Sequence, residues 1–414
     1  MSIPRSRALW LIVGAGLAIR VVLAFVYQGT GAVLLEEFAA VRVRAWDWHA
    51  VYEEGFAWNY PPLFLSWFVG ASWLSDVSGL SFHGLAKLGA SLADVGIALA
   101  VYVYLGWRGA VERVRLAGSA LVMFGPSFIA VAGYHGQIDS VAILPAVLAL
   151  MLWERSPTSA RAVKAGLLVG LGAAVKLPPL LLVSALLGSA RSSREAAKLV
   201  GGALAIPAIV LAPLWVSGVD LHGVISYKGV PGWGGPSLIA DPGLGWDWLT
   251  GPGFPEPNGI VNAMQDASRW IIAAMLVAFT AFIVRYRPAP IDAAVLLWLV
   301  TYAINPNFFL NYLVWGLPFF IMAGYLVEAA VLQLAVIPAM IGYYLVLSQS
   351  RSDVNGFLYV PSLIALWLFF LVASFVLARR IVRRRATHRS GIQPPLVAPA
   401  AEIIFESEGP GTRA

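Results

Sequence analysis

Glu36, Glu37, Asp47, Glu53 and Glu54 crowd into the stretch from Gln28 to Pro62, in a chain that has only 22 acidic residues among 414. Carboxylates are proton acceptors, so such a group could remove the proton from a hydroxyl during a transfer reaction. Arg42, Arg44, His49, Trp46, Trp48, Trp58 and Tyr60 share the stretch, which ends Asn59-Tyr60-Pro61-Pro62-Leu63. Further along, Tyr134-His135-Gly136-Gln137-Ile138-Asp139 is a polar turn between apolar runs, and Lys176 stands alone before Leu177-Pro178-Pro179. A lysine there could neutralise a phosphate. Lys228 and Arg269 are further cations, and Trp233, Trp246, Asp247, Asn305, Asn307 and Asn311 complete the polar and aromatic candidates.

The elements that must position these residues are membrane helices. Fifty-nine per cent of residues are hydrophobic, twelve per cent are charged, and mean hydropathy is +0.77. An ordinary soluble domain carries about twice that charged fraction. The formal charge of +6 could suggest nucleic acid, but the bases lie in short runs beside apolar segments, as the positive-inside rule requires. The charge therefore reads as topology. With no cysteine there is neither a disulfide framework nor thiolate chemistry. Arg5 and Arg7 precede an apolar run long enough to span, so the start reads as a retained first helix rather than a signal peptide.

Sides follow from Lys and Arg content. The first helix, about Ala8 to Tyr27, leads to the acidic loop on the opposite side. The aromatic run Leu63 to Leu74 is shorter than the roughly 20 residues a span needs. If it crossed, every later basic loop would be inverted. It is therefore expected to lie as a juxtamembrane helix on the outer face. Spans are then expected at Leu85–Leu105, Leu116–Ala132, Val141–Trp153, Ala165–Val175, Leu177–Leu187, Val200–Val216, Trp270–Val284, Ile291–Ile304, Phe308–Gly324, Val331–Leu347 and Leu358–Leu377. The expectation is an all-α polytopic protein of about twelve transmembrane helices with both termini cytoplasmic. It divides into a catalytic module, 1–217, with its first outer loop at 28–84; a C-terminal part, 218–385, with an outer loop at 218–268; and a disordered cytoplasmic tail, 386–414.

Most unusual polar residues then collect on one face, around a polar outer cavity. Each has a plainer reading. Glu36 and Glu37 could be a solvated surface, and Asp47 and His49 an interfacial anchor among tryptophans. Asp139 could cap a helix, though a cap leaves His135 and Gln137 unexplained. Lys176 could snorkel to the interface, though it stands at the tip of a broken helix pair, and irregular backbone at membrane depth is tolerated where it lines a cavity. His83 and His222 are isolated, and no spacing matches a metal-ligand pattern.

At these residues the chain resembles the polytopic GT-C glycosyltransferases, in particular the prokaryotic mannosyltransferase-like branch that uses polyprenyl-phosphate sugars. The resemblance rests on Glu37-Phe38 after the first helix, Tyr60-Pro61-Pro62-Leu63, Gly136-Gln137-Ile138-Asp139 opening a helix, and Lys176-Leu177-Pro178-Pro179-Leu180, in that order over the first 190 or so residues. It implies a catalytic carboxylate in the first outer loop, usually Asp. The matching position here is Glu37, with Glu36 beside it and Asp47 behind. The longer Glu side chain departs from the family's pattern. The resemblance implies transfer of a sugar, mannose by analogy, from a polyprenyl-phosphate donor to an envelope glycolipid or glycan on the outer face of the plasma membrane. Lys176 would then hold the donor phosphate, with Lys228 or Arg269 as second choices, and Tyr60, His135, Gln137, Asp139, Trp233 and Asn307 would hold substrate. No cofactor beyond the lipid-linked donor is implied. Rival readings are a transporter or flippase of a lipid-linked saccharide, whose polar groups would gather near the midplane, and a non-catalytic envelope subunit.

Overall fold

The computed structural model describes residues 6–52, 58–155, 159–225, 229, 231–250, 255–347 and 356–389. Glu53, Glu54, Tyr227, Lys228 and all of the tail beyond Arg389 lie outside the described residues. Among the described residues the regular structure is helical. In the first part these are α1 (Arg7–Val26), α2 (Gly31–Arg44), α3 (Trp48–Tyr52), α4 (Leu65–Ser78), α5 (Phe82–Trp107), α6 (Glu112–Met123), α7 (Pro126–Phe128), α8 (Asp139–Arg155), α9 (Ser159–Ala173), α10 (Leu182–Leu187) and α11 (Ser193–Val216). The second part has α12 (His222–Ile225), α13 (Gly235–Ala240), α14 (Pro242–Thr250), α15 (Gly259–Tyr286), α16 (Pro290–Ile304), α17 (Leu313–Met322), α18 (Leu326–Ala335), α19 (Ile337–Leu347) and α20 (Gly356–Arg389).

Six helical segments among the described residues are long and apolar enough to cross a membrane: α1, α5, Glu112–His135, α11, α15 and the Tyr359–Arg385 portion of α20. The pair α18 and α19, bent by 43°, makes a seventh if it is one span. The remaining segments expected to span are all helical but shorter, as at Pro290–Ile304 and Leu310–Met322. This is an integral membrane protein of α-helices. Where the sequence suggested one straight span over Val331–Leu347, the chain instead bends at Val336.

The acidic stretch is not a plain loop. Thr30 accepts from Ala32 N to start α2, and Arg42 and Arg44 lie in its last turn, where cations suit the carbonyl end of the helix dipole. Asp47 then accepts from Ala50 N and opens α3. Pro61-Pro62 begins a 3-10 turn, Pro62–Phe64, that leads into the 14-residue α4. That length is shorter than the roughly 20 residues of a full span. α4 packs on α2 and α5.

Two local devices aim the rest of the site. Pro126 has no N–H, so the helix breaks after Met123 and leaves carbonyls without helical partners. The fully buried Arg20 of α1 supplies them: its guanidinium donates to Met123 O at 2.6 Å and Val122 O at 3.0 Å, while Gln333 donates to Leu121 O at 3.1 Å. The chain resumes through α7 into a π-helical turn, Ile129–His135, that ends at Gly136 with φ +84°. Wide turns of this kind recur at functional sites. The second device is a seam of small residues between α9 and α11. A Cβ on Gly170 would stand 2.7 Å from Ala203 O, and one on Gly202 2.8 Å from Val163 O. Glycine there lets the two backbones touch, as membrane helices do when packing replaces the hydrophobic drive. α9 is thereby fixed, and its C-terminal end delivers Lys176.

Candidate active site

Lys176 follows the last turn of α9, where its backbone N–H bonds Gly172 O at 3.0 Å, and precedes the 3-10 turn Pro178–Leu181. Its ammonium meets Asp139 Oδ1 at 2.8 Å, both side chains buried. Asp139 opens α8, and its carboxylate collects two more donors: Trp315 Nε1 on Oδ1 and Asn311 Nδ2 on Oδ2 at 3.2 Å. Those donors come from α17 and the 3-10 turn before it, so the C-terminal half closes one side of the site. Lys176 Nζ also lies 4.9 Å from the centre of the Tyr60 ring. The ammonium is thus aimed by a carboxylate and an aromatic face, with donor capacity left for an incoming oxygen.

The neighbouring wall is polar. Tyr60 donates its hydroxyl to Gln137 Oε1 at 3.1 Å, and Gln137 Nε2 and His135 Nε2 are 3.4 Å apart. His135 Nδ1, Asn311 Oδ1 and Glu36 Oε2 are buried without a partner. Leaving one such atom unsatisfied costs about 1–3 kcal/mol; Asn311 bonds Asp139 and His135 stands beside Gln137, so two of the three border the ion pair and mark a place suited to polar groups. Burial and the charges of Asp139 and Glu36 push the Tyr60 phenol up, which keeps it a neutral donor.

The two neighbouring glutamates face apart. Val33, Glu36 and Ala40 form the inward row of α2, while Glu37, about 100° further round the helix, is exposed. Glu37 lines an outer pocket of about 470 Å³ with Arg44, Ser72, Ser75, Asp76 and Phe82. Glu36 is 4 % exposed. Burial drives its carboxyl well above the usual carboxylate range, while the charge of Lys87 opposes that rise. Lys87 itself is fully buried on α5 and donates to Tyr27 O at 2.6 Å.

The other sequence candidates divide. Tyr60, His135, Gln137, Asp139 and Lys176 come together. Asp47 is a half-exposed helix cap paired with Arg42 at 3.3 Å. Arg269 is exposed on α15, its guanidinium 5.6 Å from the Trp270 ring centre, and is not brought to the cluster. Asn307 is buried, accepting from Gln265 at 3.4 Å beyond the aromatic shell. Trp233 sits in that shell: its ring lies 4.8 Å from Tyr343, which in turn is 6.1 Å from His135, and Tyr344 is 5.3 Å from His135. Sequence reasoning did not single out Lys87, Trp315, Tyr343 or Tyr344, because each is embedded in an apolar run read only as a span. A polar or charged residue within such a run was the available signal for Lys87. Among the described residues, no three His, Asp or Glu side chains group as a metal site.

No curated protein matches the chain. Among solved structures it is similar to ArnT from Cupriavidus metallidurans, crystallised bound to undecaprenyl phosphate, at 16% identity over 92% of this chain and 79% of that chain, with a TM-score of 0.48. Residues 58–306, from the segment before α4 to the end of α16 and the turn that follows, match the family model of glycosyltransferase family 87. That match spans more than half of the 414 residues, and the chain belongs to glycosyltransferase family 87.

Proposed function

We propose that the protein transfers a sugar, mannose by resemblance, from a polyprenyl-phosphate donor to a hydroxyl of an envelope glycolipid or glycan, with Glu36 as general base. The observation that carries this reading is the cluster of Tyr60, Gln137, His135 and the Asp139–Lys176 pair, with a buried, unpartnered carboxyl oxygen of Glu36 on α2 in electrostatic reach of Tyr60. Glu36 accepts the acceptor hydroxyl proton as that oxygen bonds to the anomeric carbon. The bond from that carbon to the phosphate oxygen breaks, and its electron pair leaves with the lipid phosphate. Lys176 neutralises the charge that develops there. Asp139 spreads its own charge over three donors, so the ammonium is held without being fully quenched. Gln137 and His135 supply hydrogen bonds to sugar hydroxyls, and Trp233, Tyr343 and Tyr344 supply apolar faces. The site opens to the outer face, both termini being cytoplasmic. An apolar donor tail explains why the reaction is housed among membrane helices.

The test is a panel of polyprenyl-phosphate sugars offered to the purified protein in proteoliposomes. Consumption of one donor, lost in Glu36→Gln and strongly reduced in Lys176→Met, is the expected result. Movement of a lipid-linked saccharide across the bilayer without bond cleavage would establish a flippase instead.

A further inference from the structure

We propose that Lys87 is a positioning residue that acts through Glu36, its ammonium on the first turns of α5 countering the burial of that carboxyl and so easing its conversion to the proton-accepting form. The inference rests on the reading of Glu36 as the base. It begins from a conflict. A base must be charged to accept a proton, yet Glu36 is 4 % exposed with Oε2 unpartnered, an environment that favours the neutral acid. Some buried cation has to oppose that tendency. Lys176 is already engaged by Asp139.

Lys87 occupies the right place. Its side chain lies where the end of α1, the inward face of α2 and the π-helical turn meet. Nζ donates to the carbonyl of Tyr27, the capping residue of α1. Gly29 has φ +94°, and a Cβ there would stand 2.9 Å from Nζ, so glycine serves both the turn and the ammonium's room. The lysine stem passes Gly136, whose Cβ would meet Lys87 Cγ at 3.2 Å and Val33 Cγ2 at 3.0 Å. Val33 and Glu36 are one helical turn apart on the same buried row of α2. A single carbonyl does not compensate a buried ammonium. The carboxylate whose field reaches it is that of Glu36, and among the described residues no direct ion pair joins the two. The gap leaves Glu36 oxygen free for an acceptor hydroxyl, which a closed salt bridge would not.

Few other charges compete. Tyr60, before α4, stays neutral, and Tyr52 of α3 gives its hydroxyl to Tyr60 O. His135 faces the site from the π-helical turn, and the Asp139–Lys176 pair lies beyond it. On α2 itself Arg42 and Arg44 turn outward to Asp47 and to Asp76 of α4, beside the exposed Glu37.

The experiment is an infrared pH titration of the full-length protein in lipid nanodiscs, with no substrate added. The band of the protonated Glu36 carboxyl is identified by its loss in Glu36→Gln. In Lys87→Met the midpoint of that band should move up by about 1–2 pH units, and Lys87→Arg should restore it. Lys87→Gln serves as a second neutral variant if the methionine protein does not fold. The acid limb of kcat/KM should move with the band. An unmoved midpoint in the folded neutral variants would overturn the role assigned to Lys87. Full transfer activity in Glu36→Gln would instead remove the reading of Glu36 as base, whatever the titration shows.

Discussion

Among the described residues two acid–base pairs are buried, and they are opposites. Arg20 and Asp94 meet at 2.8 Å with both side chains fully buried, and every side-chain nitrogen and oxygen of the pair has a partner: Arg20 also serves the Gly16, Val122 and Met123 carbonyls, and Ser140 donates to Asp94. Lys176 and Asp139 also meet at 2.8 Å, but Asn311, which bonds Asp139, and His135, beside Gln137, each carry a buried atom without a partner. Saturation separates the scaffold pair from the working pair. A buried charge with every bond made is a staple, whereas one bordered by open donors and acceptors waits for a ligand. The pairs are also linked, because Ser140, which completes the first, directly follows Asp139 in the second.

This contrast can be broken by mutation. Arg20→Ala should give the largest effect on stability, about 3–5 kcal/mol, since it leaves Asp94 without its cation and strands the Val122 and Met123 carbonyls; thermal unfolding in detergent measures it, and a loss below about 1 kcal/mol would end the staple reading. Lys176→Met should do the reverse. Asp139 keeps Trp315 and Asn311, so unfolding should shift less than in Arg20→Ala, while kcat falls about 100-fold or more. Equal stability losses in the two variants would erase the distinction.

A third prediction concerns pH. Because burial raises the Glu36 carboxyl, transfer should rise with pH along a limb centred above the ordinary carboxylate range, and Glu36→Gln should remove that limb along with the activity. The sign for stability is opposite. A folded-state value above the unfolded one means that Glu36 stabilises most below the unfolded value, and that this contribution is lost as pH rises through the folded value. Urea unfolding against pH for the native chain and Glu36→Gln should show the difference. The smallest effect is expected at Arg269, which is exposed and outside the cluster: Arg269→Ala should leave unfolding within about 0.5 kcal/mol and transfer unchanged.

Much of this was legible in the sequence. Composition gave the membrane class, the short run after Pro61-Pro62 is the 14-residue α4, and the family bears out the resemblance to membrane glycosyltransferases, its match over 58–306 leaving out Glu37-Phe38 but taking in Tyr60, Gln137, Asp139 and Lys176. Those residues were visible because they interrupt apolar runs at turns. Helix phase was less visible. Treating Gln28–Pro62 as a loop left the resemblance to favour Glu37 over Glu36, although Val33, Glu36 and Ala40 fall at helical spacing and set Glu36 on the other face. Arg20 and Lys87 were hidden for another reason. Each sits in a run apolar enough to span despite its few charges, so hydropathy absorbed them, and only the helix break at Pro126 and the turn at Gly29 show what they do.

The most direct test of the account compares Glu36→Gln with Glu37→Gln in proteoliposomes, using whichever polyprenyl-phosphate sugar the native protein consumes. The account predicts a loss in kcat of about 100-fold or more for Glu36→Gln, and near-native transfer for Glu37→Gln. Full activity in Glu36→Gln, with the loss falling on Glu37→Gln, would contradict it.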